Sequence, residues 1–92
     1  PLTGLAEALL GLDRPAEALP LAERAAAIRE KNALPAELAE SRFALARARW
    51  ATGDRARALA VARQARDGFA GAGALAAPQA AEVDAWLAAR AR

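Results

Sequence analysis

Small and apolar residues fall at helical spacing along this chain, and the series is written twice. Leu5, Ala6, Leu9, Asp13, Ala18, Leu19, Ala22 and Ala25 make the first copy. Leu45, Ala46, Arg49, Gly53, Ala58, Leu59, Ala62 and Ala65 make the second, shifted by 40 residues at every site, and six of the eight sites are identical. A fixed period of this length marks a stacked repeat, whose units bury a continuous core only by packing on one another. Two apolar stripes follow: Leu5, Leu9, Leu19, Ala22, Ala25 and Ile28, then Leu45, Leu59, Ala62, Ala65 and Phe69. Val83, Trp86 and Leu87 form a third on a last helix, which assigns Trp86 to the core. Ala6 with Ala18, and Ala46 with Ala58, are expected to face each other across two hairpins, where larger side chains would push the helices apart.

Breakers divide these stripes into five helical segments. Leu2 to Leu10 ends near Gly11, read as a left-handed cap; Asp13 is read as the N-cap of a second helix with Pro15 in its first turn. That helix is expected to run to about Lys31, with Asn32 as a left-handed cap and a bend or late start at Pro20. Pro35 opens a third helix to Thr52, Gly53-Asp54 supplies a stop and a start, and a fourth helix runs from Arg55 to about Ala70. Gly71-Ala72-Gly73 breaks the chain before a helix starting at Pro78. Short links imply antiparallel neighbours. The reading is an all-α chain of stacked antiparallel helical hairpins: one domain over 1–92, with repeats at about 2–31 and 35–70 and a C-terminal capping helix at about 78–91.

Composition sharpens this picture. Of 92 residues, 31 are alanine and only 4% are aromatic, so helix propensity is high and the core is thin. A chain this short buries about 60–65% of its unfolded surface. The formal charge is only +2, and the pI of 10.4 reflects the absence of His, Cys and Tyr more than a basic surface. Without Cys, disulfides, thiolate chemistry and most zinc sites are excluded. The longest uncharged stretch, Gly68 to Ala81, holds three Gly and a Pro and is no membrane span. The chain opens at Pro1 inside the repeat pattern and is read as a piece of a longer, cytoplasmic protein.

Leu-Ala-x-x-Leu-x-x-x-Asp-x-Pro-x-Glu-Ala-Leu, from Leu5, and Leu-Ala-x-x-Arg-x-x-x-Gly-Asp-x-x-x-Ala-Leu, from Leu45, resemble the tetratricopeptide repeat. Arg49, where that family usually has an aromatic or Leu, Asp13 at the turn, and a period of 40 in place of 34 are departures. The resemblance covers Leu2 to Phe69, with Ala80 to Arg92 similar to a further first helix or a cap. It implies a protein-interaction scaffold without cofactors. The stretches Arg14–Leu21 and Ala36–Ala48 also resemble the repeat tails of large bacterial serine/threonine protein kinases, which would place the chain in a signalling protein.

Catalysis finds no support in these residues. There is no His, Lys31 is the lone lysine at a helix end, and Ser41, the lone serine, lies mid-helix between Glu40 and Arg42. Glu37 and Glu82 are read as helix-start acids that favour the dipole. The many arginines are interleaved with acids, so solvated pairs such as Asp67–Arg63 are expected rather than a nucleic-acid face.

Phe43, Arg47 and Trp50 share a helix face at i, i+4, i+7. The family resemblance puts Glu40, Phe43, Arg47, Trp50 and Ala51 on the groove-lining face, with Thr3, Glu7, Leu10 and Gly11 equivalent in the first copy. The groove candidates are therefore Glu7, Leu10, Glu40, Phe43, Arg47 and Trp50, an aromatic and arginine set of the kind that anchors protein partners. Alternatively, Phe43 and Trp50 fill space against Val83, Trp86 and Leu87. Thr3, Glu7 and Phe43 stand where a clamp for a peptide carboxylate would need basic or amide groups, which disfavours a chaperone C-terminus as ligand. The expected partner is a protein or peptide, not nucleic acid or membrane. The alternative is a structural spacer, or a module that self-associates into homo-oligomers through its repeat ends.

Overall fold

The alanine-rich segments between the Pro and Gly breakers are helical in the computed structural model, which describes residues 1–90. Among them the helices are α1 (Leu2–Gly11), α2 (Pro15–Asn32), α3 (Pro35–Ala51), α4 (Arg55–Gly71) and α5 (Ala77–Arg90), with a 3₁₀ turn at Ala74–Ala76 leading into α5. The expected end of the last helix at 91 lies outside the described residues. α1 with α2 and α3 with α4 form antiparallel hairpins, α3 packs on α1, α2 and α4, and α5 caps the far side of α4.

Among the described residues, thirteen of the eighteen buried apolar ones are alanines; only Leu45, Val61, Phe69, Val83 and Leu87 are larger. Ala6, Ala18, Ala46 and Ala58 are all fully buried, as the hairpin reading requires. A Cβ on Gly68 of α4 would stand 3.0 Å from the Ala39 Cβ on α3, a contact tight enough that the helices would have to shift to admit alanine.

The local punctuation differs from the sequence expectation at the first turn. Gly11 is the last helical residue, and Asp13, expected to cap α2, takes the left-handed position itself at φ 58°. The Arg14 N–H donates to Leu9 O at 2.9 Å and the Asp13 N–H to Leu10 O at 3.1 Å, which is a Schellman closure, and Arg14 becomes the N-cap. Asn32 ends α2 as a helical residue and Ala33 beyond it is extended, not left-handed. Pro20 sits exposed inside α2 without ending it, leaving the carbonyl of exposed Ala16 to solvent.

Two residues of the first stripe are also placed differently. Leu5 is 51% exposed and Ile28 48%, whereas Leu45, at the position equivalent to Leu5, is 5% exposed. The first hairpin lies over Leu45; the described residues place no equivalent unit over Leu5.

Among the described residues, four ion pairs link neighbouring helices. Arg29–Glu40 (2.8 Å), Arg42–Glu30 (3.5 Å) and Arg49–Glu23 (3.9 Å) run in antiparallel register between α2 and α3. Arg66 reaches Asp84 of α5 at 3.5 Å and its neighbour Asp67 at 3.2 Å, so Asp67 is paired with Arg66 in place of Arg63. Arg49, the departure from the family pattern, thus serves the α2–α3 contact.

Candidate functional site

α1 and α3 approach closely because small hydroxyl residues meet there. Thr3 and Ser41 are 2% and 0% exposed and share a hydrogen bond of 2.8 Å. Thr3 is therefore an interior residue and not part of a groove. Ser41, with its hydroxyl committed to Thr3, is structural.

At the same repeat position the second copy has Phe43, and here the next helix is met through rings. Phe43 and Trp50 are half-buried, and the indole of Trp86 stands edge-on to both, at centroid distances of 5.8 and 5.9 Å. Arg90 lies over Trp86 at 4.2 Å and near Trp50 at 5.7 Å, while Arg55 lies over the Trp50 ring at 4.9 Å. The ring contacts hold α5 off α3 and leave a cleft between them.

That cleft is a cavity of about 350 Å³, lined by Glu7 of α1, Ala36, Glu37, Glu40 and Phe43 of α3, Phe69 of α4, and Gln79 and Glu82 of α5. Its size falls at the small end of ligand pockets. Three of the six groove candidates, Glu7, Glu40 and Phe43, come together in its wall. Arg47 sits beside them with its guanidinium 5.9 Å from the Phe43 ring centre. Trp50 is engaged by Trp86, Arg55 and Arg90, and Leu10 is half-buried against the core. Phe43 and Trp50 thus pack on Trp86 and are each only half-buried.

The carboxylates in the wall are not equivalent. Glu37 accepts the Leu34 N–H at 3.1 Å and caps α3, and Glu40 accepts from Arg29. Glu7 and Glu82 make no ion pair among the described residues. Burial, and then the nearby charge of Glu40, raise the Glu7 carboxyl above its ordinary value; Arg47 and Arg29 oppose the rise. Glu82 is the residue that sequence reasoning misplaced. α5 begins at Ala77, so Glu82 lies beyond its first turn and faces the cleft instead of serving the helix dipole. Phe69, Gln79 and Arg90 were also missed as site residues. The Phe69 and Trp86 stripes were visible, but the sequence did not show that they converge on one cleft.

No helix among the described residues is long and apolar enough to cross a membrane, and none of their acidic groups forms a cluster suited to a metal ion. A family model described as tetratricopeptide repeat matches residues 1–70, from α1 through all but the last residue of α4. No curated protein and no solved structure matches the chain. α5, which supplies Gln79, Glu82, Trp86 and Arg90, lies beyond the matched residues.

Proposed function

Because the chain belongs to the tetratricopeptide repeat family, we propose that it is a binding module whose cleft between α1, α3 and α5 receives a segment of a partner protein. Tetratricopeptide repeats are in general protein–protein interaction modules and not catalysts. The observation that carries the finer reading is the cleft of about 350 Å³, walled by side chains from four helices and left open by the ring contacts of α5. Rigid helices hold those side chains in place before the partner arrives, so most of the ordering cost falls on the partner. Glu7, Glu40 and Phe43 are the central contacts, with Arg47 beside them and the open sides of Leu10 and Trp50 extending the surface. The resemblance of Arg14–Leu21 and Ala36–Ala48 to kinase repeat tails supports a place in a cytoplasmic bacterial signalling protein.

The test is selection of binders from a random library of 12-residue peptides, followed by mapping of their contacts through amide chemical shifts. The reading requires shifts concentrated at Glu7, Glu40, Phe43 and Gln79, and loss of binding in a Phe43→Ala variant that keeps its helical circular dichroism. Selection of no peptide, or shifts confined to the opposite face around Arg42 and Arg57, overturns it.

One observation favours a second reading, in which the array stacks on another copy. Leu5 and Ile28 are half-exposed at the open end of the first hairpin, where Leu2, Ala25 and Ile28 line an apolar hollow of about 190 Å³. Sedimentation velocity over a hundredfold concentration range separates the two; a monomer throughout removes self-association.

A further inference from the structure

The wall of the cleft has a charge that is larger than its own neutralisation. Four carboxylates line it: Glu7 from α1, Glu37 and Glu40 from α3, and Glu82 from α5. Arg29 bonds Glu40 and the backbone carbonyl of Glu37 from outside the cleft, and Arg47 lies against Phe43 within electrostatic reach of Glu7. Two arginines therefore face four carboxylates. The wall keeps an excess of negative charge, and Glu7 of α1 and Glu82 of α5 make no ion pair among the described residues. Half-buried Phe43 and the more deeply buried Phe69 line the same wall as these acids. The molecule already uses this chemistry once, in placing the Arg47 guanidinium by the Phe43 ring.

We propose that the cleft reads a basic side chain, arginine before lysine, in the partner segment, with its cation held between Glu7 and Glu82 and its stem against Phe43. This rests on the groove reading above and adds the chemistry of the ligand. A planar guanidinium offers several donors to carboxylates on two sides and lies flat on an aromatic wall, whereas an ammonium is a point charge with a stronger hold on water. An acidic segment would meet Glu7, Glu40 and Glu82 at close range and is excluded by repulsion. The Glu7 carboxyl is raised first by burial and then by Glu40, and an incoming cation would offset the second of these.

The peptides selected in the library experiment supply the test. Arginine or lysine is expected at one fixed position in most of them. Replacing that residue by norleucine or glutamate weakens binding at least tenfold, and lysine in place of arginine weakens it severalfold. On the protein side, the double variant Glu7→Gln, Glu82→Gln weakens the same peptides at least tenfold, with unchanged circular dichroism. Peptides that bind through Phe43 but show no basic preference, or that bind the double variant unchanged, overturn the inference and leave the groove reading standing. Failure to select any peptide overturns both.

Discussion

Asp13 and Gly53 close the same turn forty residues apart, both with positive φ, 58° and 100°. In each case the next N–H reaches back to a carbonyl five residues earlier at 2.9 Å, Arg14 to Leu9 and Asp54 to Arg49. A left-handed backbone costs a residue with a Cβ about 1–2 kcal/mol, less for Asp and nothing for Gly. Asp13→Gly is therefore expected to stabilise the chain by about 0.5 kcal/mol, and Gly53→Ala to destabilise it by about 1–2 kcal/mol. Urea midpoints at constant m-value measure both, and a loss of stability in Asp13→Gly would show that the Asp side chain contributes more than its backbone costs.

This turn also shows what the sequence could and could not tell. Local propensity pointed to Gly11 as the left-handed residue, while the internal alignment paired Asp13 with Gly53, and the alignment was right. Repeats convey geometry because the same packing imposes the same turn twice. The five helices and the small-residue contacts were legible for that reason. The cleft was not, since it depends on how far Trp86 holds α5 from α3, and α5 has no earlier copy to compare with. Leu5 misled for the opposite reason: its repeat position is buried in the second copy and open in the first.

Thr3 and Ser41 give a second prediction. Each satisfies the other in a contact that is nearly free of solvent, so removing one hydroxyl strands its partner. Thr3→Val or Ser41→Ala alone is expected to cost about 1–3 kcal/mol, and the double variant less than the two added together. A double-mutant cycle in urea measures the coupling. Strict additivity would mean that water replaces the missing partner.

Glu7 makes stability depend on pH in an unusual direction for a carboxylate. Its pKa in the folded chain lies above the ordinary value of 4.5. Over the interval between the unfolded and folded values the native state binds more protons, so stability falls as pH rises through that interval and stays lower above it. Glu7→Gln is thus expected to be more stable than the parent at pH 7, with the advantage vanishing as pH falls below the carboxylate range. Thermal melts of both proteins from pH 3 to pH 7 read this out; an advantage that persists at pH 3 would point to packing instead of charge.

The attachment of α5 should fail before the rest of the fold. α5 buries only Val83 and Leu87 fully, and its remaining hold is Trp86, set edge-on against Phe43 and Trp50, together with Arg90 laid over both indoles and donating to the Trp86 carbonyl at 3.1 Å. Val83 and Leu87 join the same core as the hairpins, but its alanine part from Ala6 to Ala62 lies within the two hairpins. Trp86→Ala removes the ring contacts of a half-buried side chain, at a cost of about 2–3 kcal/mol. Arg90→Met keeps much of the stem and deletes the cation, costing about 0.5–2 kcal/mol. Hydrogen exchange is expected to report both as local events: faster exchange in α5, nearly unchanged protection in α2 and α3. Because the cleft is walled on one side by Gln79 and Glu82, loosening α5 must also weaken whatever binds there, and Trp86→Ala should lower peptide affinity more than Arg90→Met. Uniform loss of protection across all helices in Trp86→Ala would instead make α5 an inseparable part of the core, and the cleft a fixed feature of a single cooperative unit.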